Sequence, residues 1–321
     1  MTPDQQEKLA SIERIQEGFR GLGYVCSRNI ATALYIATHL EKPILVEGPA
    51  GVGKTELANT MALYLDQQLI RLQCYEGLDE AKALYEWKYG KQLLYTQILK
   101  DKIGDVLDGA TGLAQSMERL HKFGDVFFSE AFLEPRPLLR AIQQADGAVL
   151  LIDEVDKSDH EFEAHLLEVL SEFQITIPEI GTIRAVRKPY VFLTSNNTRE
   201  MSDALKRRCL HLYVPFPDAP LARSIIQARM PEMTLKLQHQ LVAFVQQVRG
   251  LDLKKQPSVS ETIDWARVLM LLHADTLDVD LVRTTLNVFL KFQEDIESVD
   301  SQLYEMTRNA TREDAFAVGH G

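Results

Sequence analysis

The chain has 321 residues, of which 45% are hydrophobic, and its formal net charge at pH 7 is -11. This length and apolar content are enough for a large core divided between two domains. The acidic balance argues against a protein whose affinity comes mainly from neutralising nucleic-acid phosphates, although it leaves room for a local basic pore.

The sequence gives no sign of a membrane or secreted protein. It lacks an apolar stretch of 18 residues, and the polar segment Met1–Glu7 has no signal-peptide core. Cys26, Cys74 and Cys209 are isolated and form no C-x-x-C pattern. We therefore expect a cytoplasmic protein with reduced thiols.

Helices and strands alternate in the first half of the chain. Apolar residues three and four apart predict a helix from Gln5 to Phe19, a second helix is expected from Ser27 to Leu40, and the apolar run Ile44–Val46 predicts a strand. The elements predicted further along are a strand at Gln68–Cys74, a mostly polar inserted helical segment at 100–123, a short strand at Asp125–Phe128 and a helix at Pro137–Ile142.

A phosphate-binding loop is predicted directly after the first strand. Residues Gly48–Thr55 follow the pattern G-x-x-x-x-G-K-T between an apolar run and a helical stretch. Backbone N–H groups in such a loop point at phosphate oxygens, and the helix N-terminus adds partial positive charge. Lys54 is expected to reach the β- and γ-phosphates, and the Thr55 hydroxyl to bind Mg²⁺. The predicted nucleotide-binding residues are Gly48, Pro49, Ala50, Gly51, Val52, Gly53, Lys54, Thr55 and Glu56.

A second motif supports the same chemistry. The run Ala148–Ile152 is continuously apolar, as expected of a strand buried on both faces, and it ends in Asp153 and Glu154. Asp153 is expected to hold the magnesium shell, and Glu154 to orient and deprotonate an attacking water. Together the two motifs predict a nucleoside triphosphatase that uses ATP and Mg²⁺.

The helix after Glu154 contains a false metal motif. Ser158 and Glu161 form an S-x-x-E capping box that predicts its start. His160 and His165 resemble part of a zinc motif, but they are five residues apart and point about 140° away from each other. We therefore predict no metal at this pair.

The remaining pattern divides the chain into two domains. Ile175–Arg184 alternates around a glycine and predicts a β-hairpin, and Tyr190–Thr194 predicts a buried strand that leads into Asn196. After residue 217 the pattern is helical through Thr307. The predicted division is a nucleotide-binding core at 1–217, with an insertion near 100–123 and a hairpin near 175–184, a helical domain at 218–307, and a flexible tail at 308–321.

The order of these parts resembles an AAA+ ATPase. The phosphate loop, the Asp-Glu strand, the hairpin, the strand ending in Asn and the segment Ala204–Cys209 follow one another as in that class, and no N-K-x-D motif of a GTPase is present. The hairpin and the insertion are most similar to the MoxR family, and the segment with its Pro-Phe-Pro-Asp turn resembles the CoxD-like branch. The resemblance implies an α/β fold, an αβα core with a parallel sheet followed by an all-α lid.

The resemblance also implies roles for three further residues. Asn196 corresponds to the first sensor, which holds the attacking water, although a turn-forming Asn is the alternative. Arg207 and Arg208 lie where the family carries the arginine finger that acts on a neighbouring subunit's nucleotide. Arg208, directly before an apolar strand, matches that position better, and a solvated basic turn is the alternative.

One departure from the family concerns the lid. Relatives carry a second-sensor arginine at the start of a lid helix, where this chain reads Pro257–Thr262 and places Glu261 at the aligned position. Ser258 and Glu261 instead form another capping box. Because a glutamate cannot hold a γ-phosphate, either this sensor is missing or another residue, such as Arg267, replaces it.

The function expected from the resemblance is that of a homo-oligomeric ring, a hexamer, that hydrolyses ATP to remodel or mature a client protein. Such relatives work with a von Willebrand A-domain adaptor, and the CoxD-like branch implies metal-cofactor insertion into an oxidoreductase such as a carbon monoxide dehydrogenase. The alternatives are a DNA-acting motor, such as a clamp loader or helicase, and a scaffold that binds nucleotide without hydrolysis. The acidic charge disfavours the first, and intact Lys54, Thr55, Asp153 and Glu154 disfavour the second.

Overall fold

The computed structural model describes residues 2–107 and 128–317. The strands in these ranges are β1 (Ile44–Glu47), β2 (Gln68–Gln73), β3 (Tyr85–Trp87), β4 (Leu133–Pro135), β5 (Ala148–Asp153), β6 (Gln174–Ile177), β7 (Gly181–Arg184), β8 (Tyr190–Ser195) and β9 (Leu210–Tyr213). The helices are α1 (Pro3–Lys8), α2 (Ile12–Gly21), α3 (Arg28–Leu40), α4 (Lys54–Leu65), α5 (Glu80–Ala83), α6 (Tyr89–Leu107), α7 (Pro137–Ile142), α8 (His160–Glu172), α9 (Asp203–Arg208), α10 (Ala219–Arg229), α11 (Leu235–Arg249), α12 (Val259–Leu271), α13 (Val279–Phe289) and α14 (Gln293–Ala317).

A parallel sheet forms the centre of the first domain, in the strand order β2-β5-β8-β1-β9. Every residue of β5 is buried, and its side chains alternate between two cores: Leu150 and Ile152 pack on one face, Val149 and Leu151 on the other. Helices therefore cover both faces, as the continuous hydrophobicity of this strand predicts. The αβα class expected from the sequence is confirmed.

The helices α10 to α14 have a separate core. Trp265, Phe244 and Phe289 are fully buried at its centre, and the Trp265 indole N–H donates to the Thr285 hydroxyl at 2.9 Å. This hydrogen bond satisfies the one polar group of the indole inside an apolar cluster. The strand β9 is the last strand along the described chain. Only helices follow it, beginning with α10, as the sequence predicts.

Two helix predictions are wrong, one because the helix is interrupted and the other because it starts one residue later. The single helix expected from Gln5 to Phe19 is two helices, because Ser11 caps the second by accepting a hydrogen bond from the Arg14 N–H at 3.2 Å. The helix after Glu154 is capped by Asp159, whereas the Ser158 hydroxyl donates to the Val155 carbonyl at 2.7 Å. Asp159 therefore takes the N-cap position one residue later than predicted, and Phe162 rather than Glu161 is the third residue of the helix.

The last helix is longer than predicted. It runs from Gln293 to Ala317 and therefore continues ten residues past Thr307, the predicted end of helical structure. Most of the predicted insertion at 100–123 and the start of the strand at Asp125–Phe128 lie outside the described residues. Helix α6 ends at Leu107, inside the predicted insertion. Within the described parts of the chain, no helix is both long and apolar enough to cross a membrane.

Candidate functional site

The loop between β1 and α4 has the conformation that its glycines allow. A Cβ atom on Gly48 would lie 2.1 Å from the Val214 carbonyl oxygen, so the close approach of β9's end requires a glycine. Gly51 has a φ of +74°, and a Cβ atom there would lie 2.5 Å from the Ser258 Cβ. The loop then enters α4 at Lys54, and the first N–H groups of that helix face the loop.

Lys54 is buried inside this loop. Its Nζ donates to the carbonyl oxygens of Gly48 at 2.6 Å and Pro49 at 2.7 Å, and to Asn196 Oδ1 at 2.7 Å. Burial lowers the pKa of this ammonium group, while neighbouring carboxylates oppose the shift. The Nζ thus lies between the loop and the end of β8, where the sequence expects its contact with phosphate.

Asp153 closes the site from the end of β5. Its buried carboxylate accepts hydrogen bonds from the hydroxyls of Thr55, at 3.2 and 3.3 Å, and Thr194, and from Arg71 Nη2 at 2.5 Å. A hydroxyl and a carboxylate on adjacent element ends are the hard oxygen ligands that Mg²⁺ accepts, so Thr55 and Asp153 fit this ion. Mg²⁺ bound there with ATP neutralises charge on the β- and γ-phosphates.

Glu154 lies just beyond the sheet with its carboxylate at the same cavity. Its left-handed backbone, with φ of 56°, costs about 1 kcal/mol for a residue with a Cβ. The carboxylate accepts hydrogen bonds from Lys157 Nζ at 2.7 Å, Gln73 Nε2 at 2.8 Å and Asn196 Nδ2 at 3.4 Å. Glu154 and Asn196 are therefore in contact, as expected for a base and the residue that holds its water.

A buried aspartate that the sequence did not single out positions the loop after Asn196. Asp156 Oδ2 accepts from the Thr198 N–H at 2.9 Å and from its hydroxyl at 2.6 Å. Burial opposes ionisation, but these hydrogen bonds hold the pKa of Asp156 below its usual value. The Asp156 carboxylate therefore ties the loop after Asn196 to the turn that carries Glu154.

Arg71 and Gln73 also belong to the site, although neither residue was predicted to have a role there. They lie on the same side of β2, because strand residues two apart share a face. Arg71 Nη2 donates to Gln73 Oε1 at 2.6 Å and to Asp153, while Gln73 donates to Glu154, so the pair links both acids. The signal for this role is weak, because polar and apolar residues are equally frequent in β2.

Two neighbouring cavities match the parts of a nucleotide. The first has a volume of about 470 Å³ and is polar, with Lys54, Thr55, Asp153, Glu154 and Asn196 in its walls. The second, of about 250 Å³, is largely apolar and shares Gly51, Gly53, Glu56 and Ser260 with the first. A polar cavity for phosphates beside an apolar cavity for a base is the arrangement that a nucleoside triphosphate requires.

The two candidate finger arginines lie elsewhere. Arg207 and Arg208 are exposed at the end of α9, and neither lines the described walls of the phosphate cavity. The Arg208 guanidinium donates to the Ser171 hydroxyl and, at 2.9 Å, to the Ala204 carbonyl. Neither arginine therefore contacts the site of its own subunit.

The capping box predicted for Ser258 and Glu261 is confirmed at the start of the lid helix α12. Glu261 occupies the position aligned with the second-sensor arginine. Its carboxylate accepts hydrogen bonds from Lys255 Nζ at 2.7 Å and from the Ser258 N–H at 2.8 Å. Arg267 donates to Asp264 at 3.0 Å and lines the apolar cavity. The lid residue in the wall of the phosphate cavity is Ser260.

Replacing Gly51 by alanine is expected to weaken ATP binding at least about tenfold, because a left-handed backbone and a lid contact must both change. The added Cβ would displace Ser258 and with it the lid from the loop. Titration with a fluorescent ATP analogue measures this loss. Gly77→Ala is the control, since Gly77 has a φ of +77° and open space around it. Equal losses in both variants would show that the lid contact has no role.

Comparisons with known proteins agree with this geometry. The family described as AAA domain (dynein-related subfamily) matches residues 43–209. Uncharacterized proteins of Staphylococcus aureus, from strains bovine RF122 / ET3-1 and NCTC 8325 / PS 47, are 27% identical over 248 residues, which cover 75% of this chain and 80% of each relative.

Solved structures of Thermotoga maritima RuvB are also similar. A RuvB mutant matches with a TM-score of 0.46 and 18% identity, covering 81% of this chain and 68% of that one. The RuvB Holliday junction branch migration motor matches with a TM-score of 0.44 and 18% identity, covering 87% and 71%.

The chain belongs to the dynein-related subfamily of AAA domain proteins. It is an ATPase, and its cofactors are ATP and Mg²⁺.

Proposed function

We propose that this ATPase works as a MoxR-type homo-oligomeric ring of six subunits that remodels or matures a partner protein. The observation that carries the proposal is the position of Arg208. Its guanidinium is exposed yet fixed by Ser171 and Ala204, so it is held in one place without reaching its own phosphate cavity. A fixed, exposed guanidinium is suited to a neighbouring subunit's γ-phosphate.

The hairpin of β6 and β7 supports an action on a partner. Ile175 and Ile177 anchor it in the core, whereas Glu179 and Thr182 at its tip are exposed. Along the chain it lies between α8, which follows Glu154, and β8, which leads into Asn196. We propose that nucleotide state moves this hairpin and that its tip contacts the ring pore or an adaptor.

The partner we propose is a von Willebrand A-domain adaptor in the cytoplasm, with a metalloenzyme as client. The family resemblance of the hairpin and the arginine segment supports this assignment, and metal-cofactor insertion into an oxidoreductase is the proposed outcome. A role as a DNA motor has less support, because the net charge of -11 opposes binding to phosphates.

Purification of the Glu154→Gln variant with Mg·ATP from the native host tests this proposal. Hydrolysis is blocked in this variant, so we expect a von Willebrand A-domain protein to co-purify, to be identified by mass spectrometry and to stimulate wild-type hydrolysis. In a chain with intact Glu154, Glu179→Ser together with Thr182→Ser should abolish that stimulation while basal hydrolysis stays within about twofold.

The control for the hairpin is the exposed pair Glu297→Ser and Ser301→Ala on α14. Equal stimulation of hairpin and control variants would remove the hairpin from the proposed contact. Stimulation by duplex DNA instead, with a steep salt dependence, would contradict the proposal in favour of a DNA motor.

A further inference from the structure

The first turn of the lid helix α12 lies directly on the phosphate loop. The Ser260 N–H donates to the Gly51 carbonyl at 3.3 Å, and the Ser260 hydroxyl lies 3.5 Å from the same oxygen. Ser258, the N-cap of α12, occupies the space where a side chain on residue 51 would begin. The loop and the lid therefore touch through backbone and hydroxyl groups.

Ser260 is the one lid residue in the described wall of the phosphate cavity; the other wall residues come from the core domain. It also lines the apolar cavity, so it lies at the boundary between the two cavities. A bound nucleotide that fills both cavities must pass this side chain. Because Ser260 is exposed, its hydroxyl is accessible to such a ligand.

Three arginines of the lid do not line the phosphate cavity. Arg229 pairs with Glu56 at 2.6 Å and lines the apolar cavity, as does Arg267. Arg249 is half-buried, and its Nε donates to the Pro257 carbonyl at 2.9 Å. Among the described lid residues, none of these cations lines the wall around Lys54.

We propose that Ser260 is a positioning residue that couples the lid to bound ATP through its hydroxyl, in the place where a charged side chain would otherwise act. A hydroxyl donates and accepts, and a contact of 3.5 Å is weak enough to be exchanged for one to a phosphate oxygen. The inference rests on ATP binding and is independent of the proposed ring partner.

Glu261 helps to hold Ser260 in position against the Gly51 carbonyl. Its carboxylate accepts from the Ser258 N–H at 2.8 Å, and the Ser258 hydroxyl accepts from the Glu261 N–H at 3.1 Å. The reciprocal bonds fix the first turn of α12 against Gly51. Because the Ser260 hydroxyl is uncharged, its hydrogen bond to a phosphate is weaker than that of a guanidinium and less sensitive to salt.

Steady-state kinetics of the purified full chain test the proposal. Ser260→Ala should raise the KM for ATP about 3- to 10-fold, the value of one hydrogen bond, with kcat changed less than about twofold. Ser260→Thr, which keeps the hydroxyl, should restore the KM. The control is Ser301→Ala, an exposed serine on α14. Equal KM values for Ser260→Ala and the control would overturn the proposal.

A distance measurement separates coupling from binding. Spin labels at Leu63→Cys on α4 and Ser224→Cys on α10 report the spacing of core and lid, since both positions are exposed. The native Cys26, Cys74 and Cys209 are buried, and burial raises the pKa of each thiol to about 12, so they resist labelling.

Saturating Mg·ATP should shift this label distance in the wild-type background. At an equally saturating concentration, Ser260→Ala should keep the distance of the nucleotide-free state, whereas Ser260→Thr should follow the wild type. A full shift in Ser260→Ala, or no shift in the wild type, would overturn the proposal. Loss of partner stimulation alone would bear only on the proposed function.

Discussion

Replacing Glu154 by glutamine is expected to lower the rate of ATP hydrolysis about 10²- to 10⁴-fold, the contribution of a general base. The amide keeps the shape of the side chain and one acceptor oxygen. Gln73 and Asn196 donate to different oxygens of Glu154, so one of these two contacts is lost, and the amide cannot accept the proton of the attacking water. Thr55 and Asp153 stay in place, so Mg·ATP should still bind. Phosphate release and equilibrium binding of a fluorescent ATP analogue, measured in parallel, check both parts.

The matched control is Glu161→Gln, an exposed glutamate in the first turn of α8. It removes the same charge seven positions further along and should leave the rate within about twofold, as surface substitutions do. Wild-type hydrolysis by Glu154→Gln would mean that another group is the base.

Replacing Arg208 by alanine is expected to lower hydrolysis about 10³- to 10⁵-fold, the range for a guanidinium supplied by a neighbouring subunit. ATP affinity should change little, because Arg208 does not line the phosphate cavity of its own chain. Arg207→Ala is the control, since Arg207 is equally exposed on the same helix. A large loss in Arg207→Ala alone would transfer the role to that residue.

The same account predicts how wild-type activity depends on concentration. A lone subunit has no Arg208 from a neighbour, so hydrolysis per chain should rise with protein concentration and level off when rings are complete. Sedimentation under the same conditions gives the assembly state. Constant activity per chain, down to concentrations where only monomers sediment, would argue for a finger that acts within its own subunit.

The sequence predicts the centre of the site because its signals are local. The loop from Gly48 to Thr55 and the strand ending in Asp153 each carry their own pattern, and a parallel sheet brings such strand ends together. The helix α7 is predicted by its own periodicity. The hairpin is predicted by alternation around Gly181, which has a φ of +99° in the structure. These elements could be predicted without knowing which segments pack against them.

The remaining parts depend on contacts between distant segments. Arg71 and Gln73 join the site because β2 pairs with β5, and strand order is not encoded in either strand alone. Ser260, and not Glu261, lines the phosphate cavity because of the rotation of α12 relative to the loop, which the sequence alone does not give. About 100° of rotation per residue moves a side chain from one wall to another.

Helix starts were predicted less well for a related reason. Ser11, Ser158 and Asp159 are all residue types that cap helices, but only Ser158 was predicted as a cap. Ser11 interrupts an apolar periodicity that continues through it, whereas Ser158 is bound by a carbonyl that only the folded turn supplies. The competition between capping and other hydrogen bonds is decided by tertiary structure.

The most direct test of the ring account is hydrolysis by mixed rings of Arg208→Ala and Lys54→Ala subunits. Each variant alone should be nearly inactive. The first lacks the arginine finger, and the second lacks the ammonium group that contacts phosphate. In an equal mixture about one quarter of the interfaces combine an intact Lys54 with a neighbour's intact Arg208. The account predicts partial recovery of phosphate release, while no recovery in rings shown to contain both variants would contradict it.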